Sequence, residues 1–461
     1  MVHKKIAGGG DSLKSIFFYW WPEVISAAIL TTLPLIIDSL IVASSQSIST
    51  FGALGAASNI LALLTKLAEA VPVASIAFIG RFNGSKDFAR CGEYLYNTFW
   101  ITFVLSLSQF LIILFGARGI FNWLEASPKI VEIAVPFIQL KSLGIILIFS
   151  VMVFMGFMRA VKNTYMPMIL NISGILAFIF FDYSLVLGKC YLPEMGLMGS
   201  AVATIIQYSL MNVLALAYIL LNKDYRKYFS SFIKSFFDKF QIGQILWLSW
   251  PIVIDKTTIS LSYIWLAKMI YPMGKYAIVS YNAIRNIEFF AFIPVVAAAQ
   301  VITFLVSNRL GANDSDGSVS NIRKILFLSA ITFIPLIVIF SIFAPVLIGA
   351  FDPKNKFTDF AVGTFLAINI LAVFDALQII LAGALRGAGD VQTVMWVRFG
   401  FCFGLFVPLS YIIKSMNIEN LNLKFTLIYA SFFVATGFIS YFYYRRLSGN
   451  LWKNININSE N

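Results

Sequence analysis

Apolar runs long enough to cross a lipid bilayer recur along almost the whole chain. About twelve of them reach roughly 18 residues or more, which is the length that a transmembrane helix needs. Within lipid every backbone N–H and C=O must find a partner inside the protein, and a helix supplies these partners along its own segment. A membrane β-barrel would show short alternating segments instead, which this sequence lacks. The runs therefore predict an all-α membrane protein, and the 12% of charged residues fits, since soluble domains contain about 25%.

The chain repeats itself after about half its length. Residues 374–390 (FDALQIILAGALRGAGD) begin inside an apolar run and end in a Gly-rich turn, and residues 156–163 (GFMRAVKN) are a weaker copy. Three pairs of landmark residues have almost the same separation along the chain: Arg159 with Arg386, Arg81 with Arg309, and Pro22 with Pro251. A period of this kind indicates a duplicated structural unit.

We expect two bundles of six transmembrane helices, one from each copy. The predicted N-lobe spans residues 16–221 and the predicted C-lobe residues 242–446, with cytoplasmic tails at 1–15 and 447–461. The remaining residues, 222–241 (NKDYRKYFSSFIKSFFDKFQ), carry aromatic and lysine residues at helical spacing, which predicts an amphipathic linker in the cytoplasmic interface. A regulatory lipid-binding site in this linker is the alternative interpretation.

The net charge of +12 follows from the predicted topology. On one side of the membrane the loops and tails hold 21 Lys and Arg residues, Arg398 among them, and on the other side they hold 9. Because Lys and Arg gather on cytoplasmic loops, both termini are predicted to lie in the cytoplasm of a cell (inner) membrane protein. The unequal distribution of Lys and Arg between the two sides explains the positive net charge, so no nucleic-acid partner is needed to account for it.

The rarest residue types argue against metal and enzyme chemistry. Cys91, Cys190 and Cys402 are scattered, with no CxxC spacing, and the single histidine, His3, lies in the N-terminal tail. The membrane segments hold no HExxH pattern and no nucleophile–base set. We therefore expect neither an enzyme nor a cofactor.

Ionisable residues inside the apolar runs are the candidates for function. Such groups are costly in lipid and usually face an internal cavity or pathway. Lys66 with Glu69, and Arg285 with Glu288, are three residues apart and could pair on one helix. The remaining candidates are Asp38, Lys141, Asp182, Asp255, Lys256 and Asp375. Of these, Asp255 and Lys256 are predicted near a span end, from which they could simply reach the interface.

Asp38, Asp182 and Asp375 stand apart because no base lies within one helical turn of them. Desolvation favours the neutral carboxyl, so such groups can exchange a proton near neutral pH. With other oxygen ligands they could instead hold Na⁺, and pairing with a base on another helix, such as Lys66 or Lys141, is the structural alternative. Pro34, four residues before Asp38, removes a helix donor and predicts a bend there.

The order of these features resembles the multidrug and toxic compound extrusion (MATE) family of the MOP flippase superfamily, over about residues 16–446. In the first half the matching stretches are LIIDSLIVA, GRFNGSKD, and GFMRAVKNTYMPMILN through FFDYSLVLG to GLMGSAVAT. In the second half they are SWPIV, YNAIRNIEFFAFIPVVAAAQ, NRLGAND and FDALQIILAGALRGAGD.

The resemblance implies two six-helix bundles arranged as a V around a central cavity. By alternating access, rocking lobes would export organic cations in exchange for H⁺ or Na⁺. Asp38, Asp182 and Thr204 match the ion site of the family's N-lobe, and Asp375 matches an acid of the C-lobe in one branch. The candidate cavity charges are Lys66, Glu69, Asp255, Arg285 and Glu288, and the structural or gating residues are Pro34, Arg81, Arg159, Arg309 and Arg386.

Three departures from the family pattern bear on the expected coupling ion, on the C-lobe acid and on the function. Phe178 stands where an asparagine usually precedes the second acid, which favours H⁺ over Na⁺ as the coupling ion. The stretch TTISLSYIW lacks the usual later acid of the seventh span, and whether Asp255 replaces it is open. Lys66, Lys141 and Lys256 would suit the alternative function, a lipid-linked oligosaccharide or other lipid flippase.

The expected partners are a small organic substrate and the bilayer, and the expected state is a monomer.

Overall fold

The computed structural model describes residues 9–45, 69–123, 127–352 and 356–455, together with residues 50, 53–55, 57, 58, 60, 61, 64 and 65. Only the backbone is described for residues 30–36, 38–40, 42–45 and 234. Across these residues the chain is helical and contains no strand. The predicted all-α class is confirmed.

The first half consists mainly of long helices. They are α1 (Leu13–Ser45), α2 (Ala70–Gly84), α3 (Phe88–Trp123), α4 (Pro128–Ala160), α5 (Tyr165–Leu187) and α6 (Leu197–Leu221). A 3₁₀ turn (Lys223–Tyr225) and a short helix, α7 (Arg226–Lys234), then connect the two halves.

The second half repeats this order. Its helices are α8 (Lys239–Ile270), α9 (Lys275–Gly311), α10 (Ser315–Ile342), α11 (Ala344–Gly349), α12 (Thr358–Gly387), α13 (Val391–Phe401), α14 (Val407–Ser415) and α15 (Leu421–Ser448). A π-helical turn (Cys402–Phe406) joins α13 to α14, so that Val391–Ser415 forms one span. Within the described residues nine helices are long and apolar enough to cross a membrane. The predicted architecture of about twelve spans in two six-helix bundles is confirmed.

The chain divides into two compact units. The first bundle is Ile25–Ser249, and the second bundle combines Met1–Val24 with Trp250–Asn461. Both boundaries fall inside a helix, one in α1 and the other in α8. The connecting helix α7 belongs to the first bundle, where a Cβ atom added to Gly92 of α3 would lie only 2.2 Å from the carbonyl oxygen of Tyr228. Only glycine permits so close an approach of two backbones.

The turn that ends α2 has the same geometry as the turn that ends α9. Lys86 and Asn313, which occupy equivalent positions in the two copies of the repeat, both have positive φ angles, 64° and 56°. The next residue in each turn, Asp87 or Asp314, donates its backbone N–H to the carbonyl oxygen five residues earlier, at 2.8 Å in both cases.

The turns after α4 and α12 form a second matching pair. Lys162 and Gly389 have φ angles of 64° and 82°, and their separation along the chain equals that of Lys86 and Asn313. Asn163 and Asp390 follow them and donate to the carbonyl oxygen five residues earlier at 2.8 and 2.9 Å. The repeat inferred from the landmark residues is therefore present in the backbone hydrogen bonds.

The Gly-rich end of α12 packs directly on α9. A Cβ atom on Gly383 would lie 2.5 Å from the carbonyl oxygen of Ala299, and one on Gly387 would lie 2.2 Å from that of Thr303. The Thr303 hydroxyl donates to the carbonyl oxygen of Gly383 at 3.0 Å. Two glycines four residues apart are a common way to bring membrane helices close together. This contact fixes the end of α12 that carries Arg386.

Candidate functional site

The first bundle brings together the segments that carry the predicted N-lobe ion site. Asp182 on α5 is 0% exposed and Thr204 on α6 is 8% exposed. A core cluster joins Phe178 of α5, Ala203 of α6 and Ile37 of α1, which is the neighbour of Asp38. The side chains of Asp38 and Pro34 and the whole of Lys66 lie outside the described part of the chain. The three helix segments nevertheless meet in one apolar cluster, as the resemblance implies.

The described polar groups near this cluster include two hydroxyls and one ammonium group. The Thr204 hydroxyl donates to the Ser200 carbonyl oxygen at 2.9 Å, which leaves its own oxygen as an acceptor. Lys141 of α4 donates to the Ser200 hydroxyl at 3.4 Å and lies 5.0 Å from the centre of the Phe137 ring. An ammonium group therefore lies about one helical turn from Thr204.

Phe178, the departure from the family pattern, is 2% exposed and packs inside the same cluster. A ring supplies no oxygen ligand, and a hard cation such as Na⁺ prefers oxygen ligands. The position one turn before Asp182 therefore contributes packing and cannot contribute a ligand.

The second bundle contains a connected set of charged and polar side chains, which we call the Asp255 cluster: Asp255, Asp375, Gln378, Arg386 and Arg398. Asp255 of α8 accepts hydrogen bonds from Arg386 of α12 on one oxygen and from Arg398 of α13 on the other. The Arg398 guanidinium also donates to the side-chain amide oxygen Oε1 of Gln378, and the side-chain Nε2 of Gln378 donates to Asp375 at 2.8 Å. One guanidinium thus links both acids of the cluster.

The sequence-based interpretation of two members of this cluster was wrong. Asp255 was expected near a span end, where it could reach the interface, but it lies in the middle of α8 and is 1% exposed. Arg398 was counted with the cytoplasmic loops, but it is 2% exposed and ion-paired. A signal existed for Arg398, because it lies inside the apolar run VMWVRFGFCFGLF.

A second charged group lies among aromatic rings in the same bundle. The Arg285 guanidinium stacks 3.5 Å from the centre of the Tyr263 ring, and Glu288 accepts a hydrogen bond from the Tyr429 hydroxyl. The pairing that we expected between Arg285 and Glu288 is replaced by these contacts with tyrosines. Cation–π stacking stabilises a guanidinium that is partly removed from water.

Most of the remaining predicted residues lie at the ends of helices. Arg309 donates to Asp11 at 3.1 Å and to Asp314 at 2.8 Å, and so fixes the start of the described chain on the end of α9. Arg81 and Arg159 lie in the last turns of α2 and α4, Glu69 precedes α2, and Lys256 follows Asp255 on α8. Among the described residues no group of three His, Cys, Asp or Glu side chains could hold a metal ion.

A family model described as MatE matches the chain twice, over residues 24–184 and over residues 251–412. A probable multidrug resistance protein NorM of Photorhabdus laumondii is 25% identical over 334 residues, which cover 70% of each chain. A solved MATE transporter of Vibrio cholerae, VcmN, has a TM-score of 0.87 at 15% identity, covering 95% of this chain and 98% of that one. A MOP superfamily transporter of Pyrococcus furiosus has a TM-score of 0.85 at 16% identity, covering 97% and 99%. The starts of the two family matches have the same spacing along the chain as the repeated turns.

Proposed function

The chain belongs to the MatE family, and we propose that it is an antiporter that exports organic cations across the cell membrane in exchange for protons. The curated relatives named as multidrug resistance proteins support an efflux function. The positive charge of the predicted cytoplasmic loops supports an inner-membrane protein with both termini in the cytoplasm. The two bundles would alternate access by rocking.

The observation that carries the proposal is the complete burial of Asp182 on a membrane-spanning helix. An ionised carboxylate in an apolar environment is costly, and protonation removes that cost. The segments of α1 and α6 that carry Asp38 and Thr204 pack against the same stretch of α5. Protonation can therefore change the packing of three helices at once.

The proposed cycle couples this change to the substrate. With the protein open to the outside, protons reach Asp38 and Asp182, the helices rearrange near Pro34, and the drug leaves. The protein then opens inward, the carboxyls lose their protons, and a new substrate molecule binds. The proton drives the cycle only if it binds the two states with different affinity. The Phe178 ring in the core cluster supports H⁺ over Na⁺, because it replaces an oxygen ligand.

Drug resistance of cells that carry Asp182→Asn or Asp38→Asn tests the proposal. An amide cannot cycle between a charged and a neutral form, so resistance to a cationic drug should fall to the level of cells without the transporter. Glu419→Gln, at an exposed loop position, is the matched control and should keep full resistance. Unchanged resistance with Asp182→Asn, at equal amounts of protein in the membrane, would contradict the role of this carboxyl.

One observation favours a second candidate function, a lipid flippase. The ammonium group of Lys141, about one helical turn from Thr204, suits an anionic lipid-linked substrate better than an organic cation. The solved Pyrococcus furiosus transporter is described as having a binding pocket of reverse polarity that suggests a different function. Purified protein in vesicles distinguishes the two functions, since an exporter would move a cationic dye and a flippase a lipid-linked sugar.

A further inference from the structure

We infer that Arg398 is the fixed counter-cation of the second bundle, so that the acids of the Asp255 cluster take no Na⁺ or other inorganic cation. The residue would thereby exclude Na⁺ from the acids of the second bundle. The contacts that support this role all lie within the second bundle, so they do not depend on the export of any particular drug.

Both carboxylate oxygens of Asp255 accept a hydrogen bond from a guanidinium group. One oxygen accepts from Arg386 and the other from Arg398. A guanidinium is planar, always charged and rich in donors, which makes charge-assisted hydrogen bonds of this kind strong. An inorganic cation would have to displace a guanidinium from a position where both groups are almost fully buried.

Arg398 also controls the second acid of the cluster. Its guanidinium donates a hydrogen bond to the side-chain amide oxygen of Gln378. This contact orients the amide so that its N–H group donates to Asp375. The amide oxygen is the atom that a cation beside Asp375 could otherwise use as a second ligand. Asp375 is the acid that we predicted to couple the ion in the C-lobe. Because Arg398 holds the Gln378 oxygen, Asp375 faces a hydrogen-bond donor, and a cation beside it would lack this oxygen as a ligand.

The balance of charge in this part of the bundle agrees with the contacts. Within the Asp255 cluster the cations Arg386 and Arg398 accompany the acids Asp255 and Asp375, so these four side chains carry no net charge when all are ionised. A cation site needs an excess of negative charge and accessible oxygen atoms. Removal of the Arg398 charge would create an excess of negative charge and accessible oxygen atoms, because Arg386 alone would then accompany Asp255 and Asp375.

The test is the unfolding temperature of purified protein in sodium chloride and in choline chloride at equal ionic strength. A cation that binds the folded state raises the unfolding temperature in a saturable manner. Arg398→Gln should acquire a saturable stabilisation by Na⁺ that exceeds any effect on the unchanged protein. Arg398→Lys keeps the charge and should respond to Na⁺ as the unchanged protein does.

Asp375→Asn provides the decisive comparison if Arg398→Gln fails to fold. The response to Na⁺ should be the same in Asp375→Asn as in the unchanged protein, since Asp375 takes no Na⁺ in either. A Na⁺ effect that Asp375→Asn reduces would overturn the inference, and so would a folded Arg398→Gln that responds to Na⁺ no more than the unchanged protein. No transport is measured, so failure of the exporter proposal would show in a different experiment.

Discussion

Asp182 and Asp255 are both completely or almost completely buried aspartates on membrane helices, yet their surroundings suit opposite tasks. Asp255 lies between two guanidinium groups that compensate its charge. Asp182 lies one turn beyond Phe178, at an apolar cluster formed by α1, α5 and α6. A carboxylate held by two guanidinium groups ties helices together, whereas the fully buried carboxyl beside the cluster that joins α1, α5 and α6 is the candidate for proton exchange in the proposed cycle.

Substitution of Asp255 by asparagine should destabilise the protein strongly. Removal of one partner from a buried ion pair typically costs about 3–5 kcal/mol, because the remaining charge stays buried without compensation. Here two guanidinium groups would lose their carboxylate. Unfolding of the purified protein, followed by tryptophan fluorescence, should show the loss.

Glu419→Gln serves as the control for this measurement, since Glu419 is exposed. A loss of stability for Asp255→Asn no larger than that of the control would show that the two ion pairs contribute little. It would also weaken the case for Arg398 as a counter-cation.

The buried charged residues could be identified from the sequence only where the neighbouring residues indicate burial. Asp182 and Asp375 were identified because each interrupts an apolar run without a base nearby, and both are buried. Arg398 was missed as a functional residue because a long basic side chain near a helix end usually reaches the interface. The apolar run around Arg398 was a signal of burial, but only the contacts between α8, α12 and α13 identify its partner, since no local pattern encodes contacts between residues 255 and 398.

At the scale of the helices, the contact between α9 and α12 depends on glycine. Gly387→Ala should lower the free energy of unfolding by about 1–3 kcal/mol, because overpacking forces the backbones of two packed helices apart. The added Cβ atom would meet the Thr303 carbonyl oxygen at 2.2 Å, and this backbone atom cannot rotate away.

Gly400→Ala is the matched control on α13, where nothing lies within 4 Å of the added atom. It should leave stability unchanged or raise it slightly, since alanine loses less conformational freedom than glycine in a helix. Equal unfolding temperatures for the two variants would contradict the close packing of α12 on α9.

The sequence predicted which loops of the two halves correspond, but it did not predict where the helices end. The repeat spacing predicted which loops correspond, and the turns at Lys86 and Asn313 agree in φ and in hydrogen bonding. The helix ends were less predictable, because the apolar run that indicated α3 covers residues 94–115, whereas the helix extends from Phe88 to Trp123. Hydropathy locates the part of a helix that lipid surrounds, and polar residues can continue the helix beyond that part.

At the scale of the whole molecule, duplication and family membership support each other. The family model matches each half once, and the two matches start at the separation that also relates the repeated turns. The two halves have diverged in their ionisable groups. The first bundle carries Asp182 one turn beyond Phe178 of an apolar cluster, and the second carries a network in which two guanidinium groups contact Asp255. In the proposed cycle, proton coupling therefore belongs to the first bundle.

Efflux of a cationic dye from proteoliposomes, under an imposed proton gradient and separately under an imposed Na⁺ gradient, tests this claim most directly. We expect the proton gradient to drive dye transport and the Na⁺ gradient, at the same membrane potential, to drive none. Asp182→Asn should abolish the proton-driven transport. Transport driven by Na⁺ alone, or proton-driven transport that survives in Asp182→Asn, would contradict the account.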